Sequence, residues 1–140
     1  MSNISAAQVK ELREKTGLGL MDCKKALEDA EGNMDKAIEE LRKTSGVKAS
    51  KKSGRSAADG LIAIKNIEDQ IFMIEVNCET DFVARDDSFV EFTSQTLKSF
   101  SENPEKTLQE LMDDGIEDNR EKIVQKLGEN IVVRRVAKTE

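Results

Sequence analysis

Thr80-Asp81-Phe82-Val83 is the stretch of this 140-residue chain whose residue types and spacing suggest an action on another molecule. It follows Ile71 to Val76, a run of apolar and β-branched residues that reads as a strand with at least one buried face. The chain turns polar at Asn77, Glu79, Thr80 and Asp81, and one aromatic, Phe82, comes directly after. A carboxylate beside a large ring, just past a strand end, has two uses. Either Asp81 caps a helical turn and Phe82 closes the core, or the ring is a probe held out to a partner.

Covalent chemistry finds little to work with. The chain has no His, Trp or Tyr, so catalytic triads and the commonest metal ligand are missing. The carboxylates are many, but nothing marks a pair as buried or matched for acid–base work. Cys23 and Cys78 are far apart and form no CxxC motif, which points to a reducing cytosol rather than a disulfide framework. The reading is of a non-enzyme, without cofactor or metal. Charged residues are 36% and hydrophobic residues 37%, which suits a soluble chain with a modest core. The N-terminus lacks a signal pattern, and no stretch approaches the ~18 apolar residues of a membrane span. A cytoplasmic location is expected. Net charge is −6, unevenly spread: residues 1–56 carry 12 basic and 9 acidic side chains, residues 57–140 carry 10 and 19. An acidic second part argues against a nucleic-acid groove there.

The elements that must position these residues follow from periodicity. Ser5 and Gln8 form a capping-box pattern, and Ala6, Val9 and Leu12 recur at helical spacing through Lys15. Thr16-Gly17-Leu18-Gly19 breaks that helix. Cys23, Ala26, Leu27 and Ala30 make a second apolar stripe, from about Met21. Asn33 caps a third helix carrying Met34, Ala37, Ile38 and Leu41. Residues 1–45 are therefore a three-helix docking module, similar to the ubiquitin-associated (UBA) type. Leu18, Leu20 and Met21 beside the glycines either fold inward or form an apolar knob for a partner. Residues 46–56, basic and rich in Ser and Gly, read as a flexible or weakly helical linker.

From Ala57 to Glu140 the pattern is α+β. Strands are expected at 61–67, 71–77 and 131–136, with Glu68-Asp69-Gln70 as a hairpin turn. Asp86 to Ser88 caps a helix with Phe89, Phe92, Thr93, Thr96, Leu97 and Phe100 on one face. Pro104 opens another helix through Met112, and Asp113-Asp114-Gly115 breaks it. Ile116, Ile123, Val124 and Leu127 form a last stripe closed by Gly128. The fold expected is a small three-helix bundle followed by a three-stranded antiparallel sheet packed with helices.

Four motifs, in order, add a resemblance. Val9-Lys10-Glu11-Leu12-Arg13 with Thr16-Gly17 and Met21-Asp22-Cys23-Lys24-Lys25-Ala26-Leu27 is similar to the N-terminal module of the bacterial translation elongation factor Ts family. Ala57-Ala58-Asp59-Gly60 resembles the opening of its core domain. Glu75-Val76-Asn77-Cys78-Glu79-Thr80-Asp81-Phe82-Val83-Ala84 resembles its most distinctive motif. Gly128-Glu129-Asn130-Ile131 and Arg134-Arg135-Val136 carry the match to the end. The resemblance implies guanine-nucleotide exchange on elongation factor Tu. Thr80, Asp81, Phe82 and Val83 would face the partner's Mg²⁺ and phosphate site, with Phe82 as a wedge. Arg13, Leu20, Met21 and Lys24 match the family's docking surface, and Leu127 and Gly128 match a second core contact. Members of the family commonly continue past this point with a second core subdomain or a dimerising segment. The resemblance therefore implies a short form or part of a longer chain.

Two other readings compete. In a generic UBA-like interaction module, changes at Gly17 to Met21 matter and Phe82→Ala is silent. An RNA-binding accessory would use residues 48–55 and Arg134-Arg135, with strongly salt-dependent affinity.

Overall fold

Two apolar cores share one long helix. The computed structural model describes residues 3–140. Helices α1 (Ala6–Thr16), α2 (Leu20–Asp29) and the start of α3 (Met34–Lys52) enclose the first core, which includes Val9, Leu12, Leu18, Cys23, Leu27 and Leu41. Local chemistry sets the helix ends. The Ser5 hydroxyl accepts the Gln8 N–H at 3.2 Å, and the Gln8 side chain accepts the Ser5 N–H at 2.9 Å. The Asn33 side chain accepts the Lys36 N–H at 3.1 Å and starts α3.

The expected α+β arrangement is present. Strands β1 (Asp59–Ile67), β2 (Gln70–Cys78) and β3 (Val132–Lys138) form an antiparallel sheet in the order β1-β2-β3. Ile67 pairs with Gln70, so the hairpin turn is the two residues Glu68 and Asp69, both at positive φ (48° and 67°). Phe72, Ile74 and Val76 point inward from β2. A short helix α4 (Asp81–Ala84) leaves β2, and α5 (Asp87–Glu102) then packs on β1 and β2. Asp86 caps α5, and the six residues assigned to its inner face are all buried. The Phe72 and Phe100 rings meet edge to face, 5.5 Å apart at 89°. Helices α6 (Leu108–Leu111) and α7 (Glu117–Leu127) complete the second core, with Leu111, Ile116 and Val124 buried in it.

The strand ends lie within two residues of the expected ones, and two expectations need correction. The linker placed at 46–56 is helical as far as Lys52. The stripe of α3 continues through Ala37, Leu41, Ser45 and Ala49, all buried and four residues apart. Ala49 belongs to the second core, and the Ser45 hydroxyl donates to Gln125 Oε1 on α7. Small side chains let the two helices approach, and burial overrides the weak helix propensity of Ser and Gly. The second correction concerns Pro104. Residues 103–107 form turns, and α6 begins after Thr107, whose hydroxyl accepts the Glu110 N–H at 3.2 Å. The break at Asp113 to Gly115 is present: a π-helical turn spans Met112–Ile116, and Asp114 and Gly115 leave helical angles.

Gly60 is needed where β1 crosses close to β2. At φ 146° it faces Asn77, and a Cβ there would lie 2.0 Å from the Val76 carbonyl oxygen. Among the described residues, no helix is long and apolar enough to cross a membrane.

Candidate functional site

β2 ends at Cys78, and the chain turns at once into α4. The Thr80 side chain makes that turn: its hydroxyl accepts the Val83 N–H at 3.3 Å and caps the helix. The Cys78 thiol donates to the Thr80 carbonyl at 3.1 Å. Val83 and Ala84 are buried against the second core and anchor α4 from below. Phe82, directly before these anchors, is 83% exposed. Of the two readings of this ring, the lid on the core is therefore excluded. Asp81 is also outward, 3.9 Å from Arg85 in an i,i+4 pair open to solvent. Such a pair is screened and leaves the carboxylate available.

The turn is held by residues that sequence reasoning did not single out. Glu79 and Thr80 lie beyond the sheet, so their N–H groups need partners elsewhere. Glu129 Oε1 accepts both, at 3.1 and 3.0 Å, and its Oε2 accepts the Thr80 hydroxyl at 2.7 Å. In return Glu79 Oε1 accepts the Asn130 N–H at 2.8 Å and stands 3.5 Å from Arg55 Nη1. The Asn130 amide, almost fully buried, donates to the Arg55 carbonyl at 2.8 Å. Two acids on separate loops thus each accept backbone N–H groups from the other's loop: Glu129 from Glu79 and Thr80, Glu79 from Asn130. An acid following a helix-ending glycine, and another following a strand, were the only local signals.

Leu127 and Gly128 lead into this clasp. Leu127 is half-buried against the second core. Gly128 takes the left-handed conformation (φ 75°), and its N–H donates to the Val124 carbonyl at 2.8 Å, ending α7. The core pair of the sequence reading and the Thr80 turn are therefore neighbours, with Glu129 between them.

The residues expected to dock lie at or near the Gly17–Gly19 break. Leu18 is buried, while Leu20 and Met21 are 53% and 73% exposed. The inward and outward options thus apply to different side chains. Lys24, one turn after Leu20, is exposed on α2. Arg13, exposed near the end of α1, lines a cleft with Lys10, Gly17, Asp22, Gln125 and Lys126. Helix α7 joins the two regions. Gln125 Nε2 donates to Asp22 Oδ2 at 3.2 Å at the start of α2, and Glu129 holds Thr80 four residues later.

Neither cysteine is an activated nucleophile. Burial, aided by the Glu129 and Asp59 charges, pushes the Cys78 thiol from 9.0 up to about 11, and burial likewise raises Cys23. Among the described residues, no group of three or more Cys, Asp or Glu side chains could hold a metal ion. What the site can do is present an exposed ring and an open carboxylate to another surface.

Comparison with known proteins gives the same family throughout. A family profile described as Elongation factor TS matches residues 79–140. Elongation factor Ts of Marinobacter nauticus is 56% identical over 142 residues, covering 100% of this chain and 49% of that protein. Elongation factor Ts of Hahella chejuensis is 52% identical over 139 residues, covering 98% and 49%. Elongation factor Ts of Arthrospira platensis is 48% identical over 145 residues, covering 98% and 59%. The chain spans about half the length of the curated relatives it matches.

Proposed function

This chain belongs to the elongation factor Ts family, and from that premise we propose that it binds elongation factor Tu and promotes GDP release. The observation that carries the reading is Phe82. A large ring 83% exposed on a single helical turn, with the next two residues buried in the core, is poorly explained by folding alone. Seated in an apolar slot of a partner, it would recover roughly 1.5–3 kcal/mol of burial.

The mechanism needs no bond to form or break. The partner grips GDP through oriented amides and its own Mg²⁺. The Phe82 ring wedges beside that site, while the Asp81 carboxylate, one residue away, places a negative charge near the metal and phosphates. Displacing the metal's ligands by a fraction of an ångström weakens several contacts together. Binding of this chain and binding of GDP then oppose each other by the same factor. Leu20 and Met21 supply apolar contact, and Arg13 and Lys24 positive charge, to a docking surface on the three-helix module. Leu127 and Gly128 add a contact beside the wedge. In this role the chain acts as an exchange factor without cofactor or metal of its own.

The test is release of fluorescent GDP from purified Tu, with the native chain and with Phe82→Ala. Faster release that is lost in Phe82→Ala supports both the exchange reading and the wedge. Neither binding nor acceleration by the native chain would sink the reading.

A further inference from the structure

The Glu129 carboxylate takes three hydrogen bonds from two consecutive residues: Glu79 N–H, Thr80 N–H and the Thr80 hydroxyl. A strand end does not need an acid to satisfy its amides, because water at this half-exposed loop would serve. A charged acceptor with three donors, one of them a hydroxyl at 2.7 Å, does more. Charge-assisted bonds are stronger than neutral ones, and three of them on one short segment fix its orientation as well as its position. The segment matters because α4 has four residues, one turn, which is too short to hold its own shape. The direction of Phe82 therefore depends on Thr80, and Thr80 is set by Glu129. The reciprocal bond from the Asn130 N–H to Glu79 keeps the Glu129 loop from swinging away with its cargo.

We infer that Glu129 is the positioning residue for Phe82: it holds the Thr80 turn so that the ring is already aimed before any partner arrives. The inference rests on the exchange reading for its functional consequence. Its physical content, the immobility of the ring in the free chain, stands apart. Ordering a ring before contact removes that ordering from the binding step, so the benefit falls on the wedge and not on the docking surface.

The free chain gives the first test. It contains no Trp or Tyr, so Phe82→Trp introduces a single indole at the wedge. Time-resolved anisotropy of that indole is compared among Phe82→Trp alone and Phe82→Trp combined with Glu129→Gln or Glu129→Ala, each verified as folded by circular dichroism. Fast local motion is expected to be least with Glu129, larger with Gln and largest with Ala. Gln keeps an oxygen for the two N–H groups but faces the Thr80 hydroxyl with an amide. If Glu129→Ala does not fold, the Gln variant decides alone: more motion supports the clasp, and unchanged motion overturns it. The second test uses the native ring. In the GDP-release assay Glu129→Ala should lower the maximal release rate roughly tenfold or more, since a misplacement near 1 Å can carry such a loss. The concentration for half effect should stay within about twofold, a split that a merely structural role would not produce. An unchanged maximal rate in a folded variant overturns the inference. No acceleration by the native chain overturns the exchange reading instead, and the indole's motion still decides the clasp.

Discussion

The Thr80 turn and the Gly17–Met21 break both expose large apolar side chains, and they do so by different means. At the turn, Thr80, Cys78, Glu79 and Glu129 are joined by hydrogen bonds, and Val83 and Ala84 sit in the core. At the break, Gly19 begins α2 without a side-chain cap, and Leu18 turns inward while Leu20 and Met21 stay outside. The first construction fixes one ring. The second leaves two flexible side chains on a helix start, and Met in particular adapts to a surface. A rigid wedge suits displacement of a held ligand, and an adaptable patch suits docking. Under the proposed function the difference would divide the labour: the turn would govern how fast GDP leaves, and the module how tightly the chain binds.

The sharpest way to break that division is Phe82→Ala. Release at saturating chain should slow by roughly a hundredfold, with the thermal midpoint nearly unchanged, because the ring is outside the core. A lowered midpoint would show that the ring contributes to folding after all. Gly60→Ala comes next. The added Cβ meets the Val76 carbonyl at 2.0 Å, so β1 and β2 must shift, and unfolding should become about 1–3 kcal/mol easier by urea titration. Hydrogen exchange would localise the loss to the sheet and the Thr80 turn, sparing α1 and α2. Leu20→Ala and Met21→Ala should each raise the half-effect concentration by roughly three- to tenfold and leave the maximal rate alone, following ~1 kcal/mol of lost apolar contact. A changed maximal rate would dissolve the distinction between the two regions.

The smallest effect concerns Cys78 and alkaline pH. Its thiol ionises near 9.0 when unfolded but only at about 11 in the fold. The unfolded chain thus loses the proton first, so the stability from this group is intact below pH 9 and declines between 9 and 11. Urea midpoints of the native chain should fall more over that interval than those of Cys78→Ala. Equal slopes would mean that the thiol is not held neutral beside Thr80.

Much of this architecture was legible in the chain. The capping box at Ser5 and Gln8, the cap at Asn33, the six-residue inner face of α5 and the Gly128 ending of α7 are local patterns, and each appears as read. The continuation of α3 was not legible, because Ser45 and Ala49 are not large apolar residues and their burial comes from α7. Pro104 misled for a related reason: Thr107 offered a better cap three residues later.

For the site itself, residue order alone determined that Thr80 to Val83 follows a strand and that Gly17 to Met21 interrupts two helices. These are matters of short-range pattern and backbone preference. Whether Phe82 faced the core or the solvent could not be settled that way. One residue of rotation decides it, and that rotation is set by Val83 and Ala84 packing below and Glu129 pulling from a loop fifty residues away. Long-range hydrogen bonds leave no periodic trace in a sequence, so the clasp, and with it the direction of the ring, belongs to the tertiary structure alone.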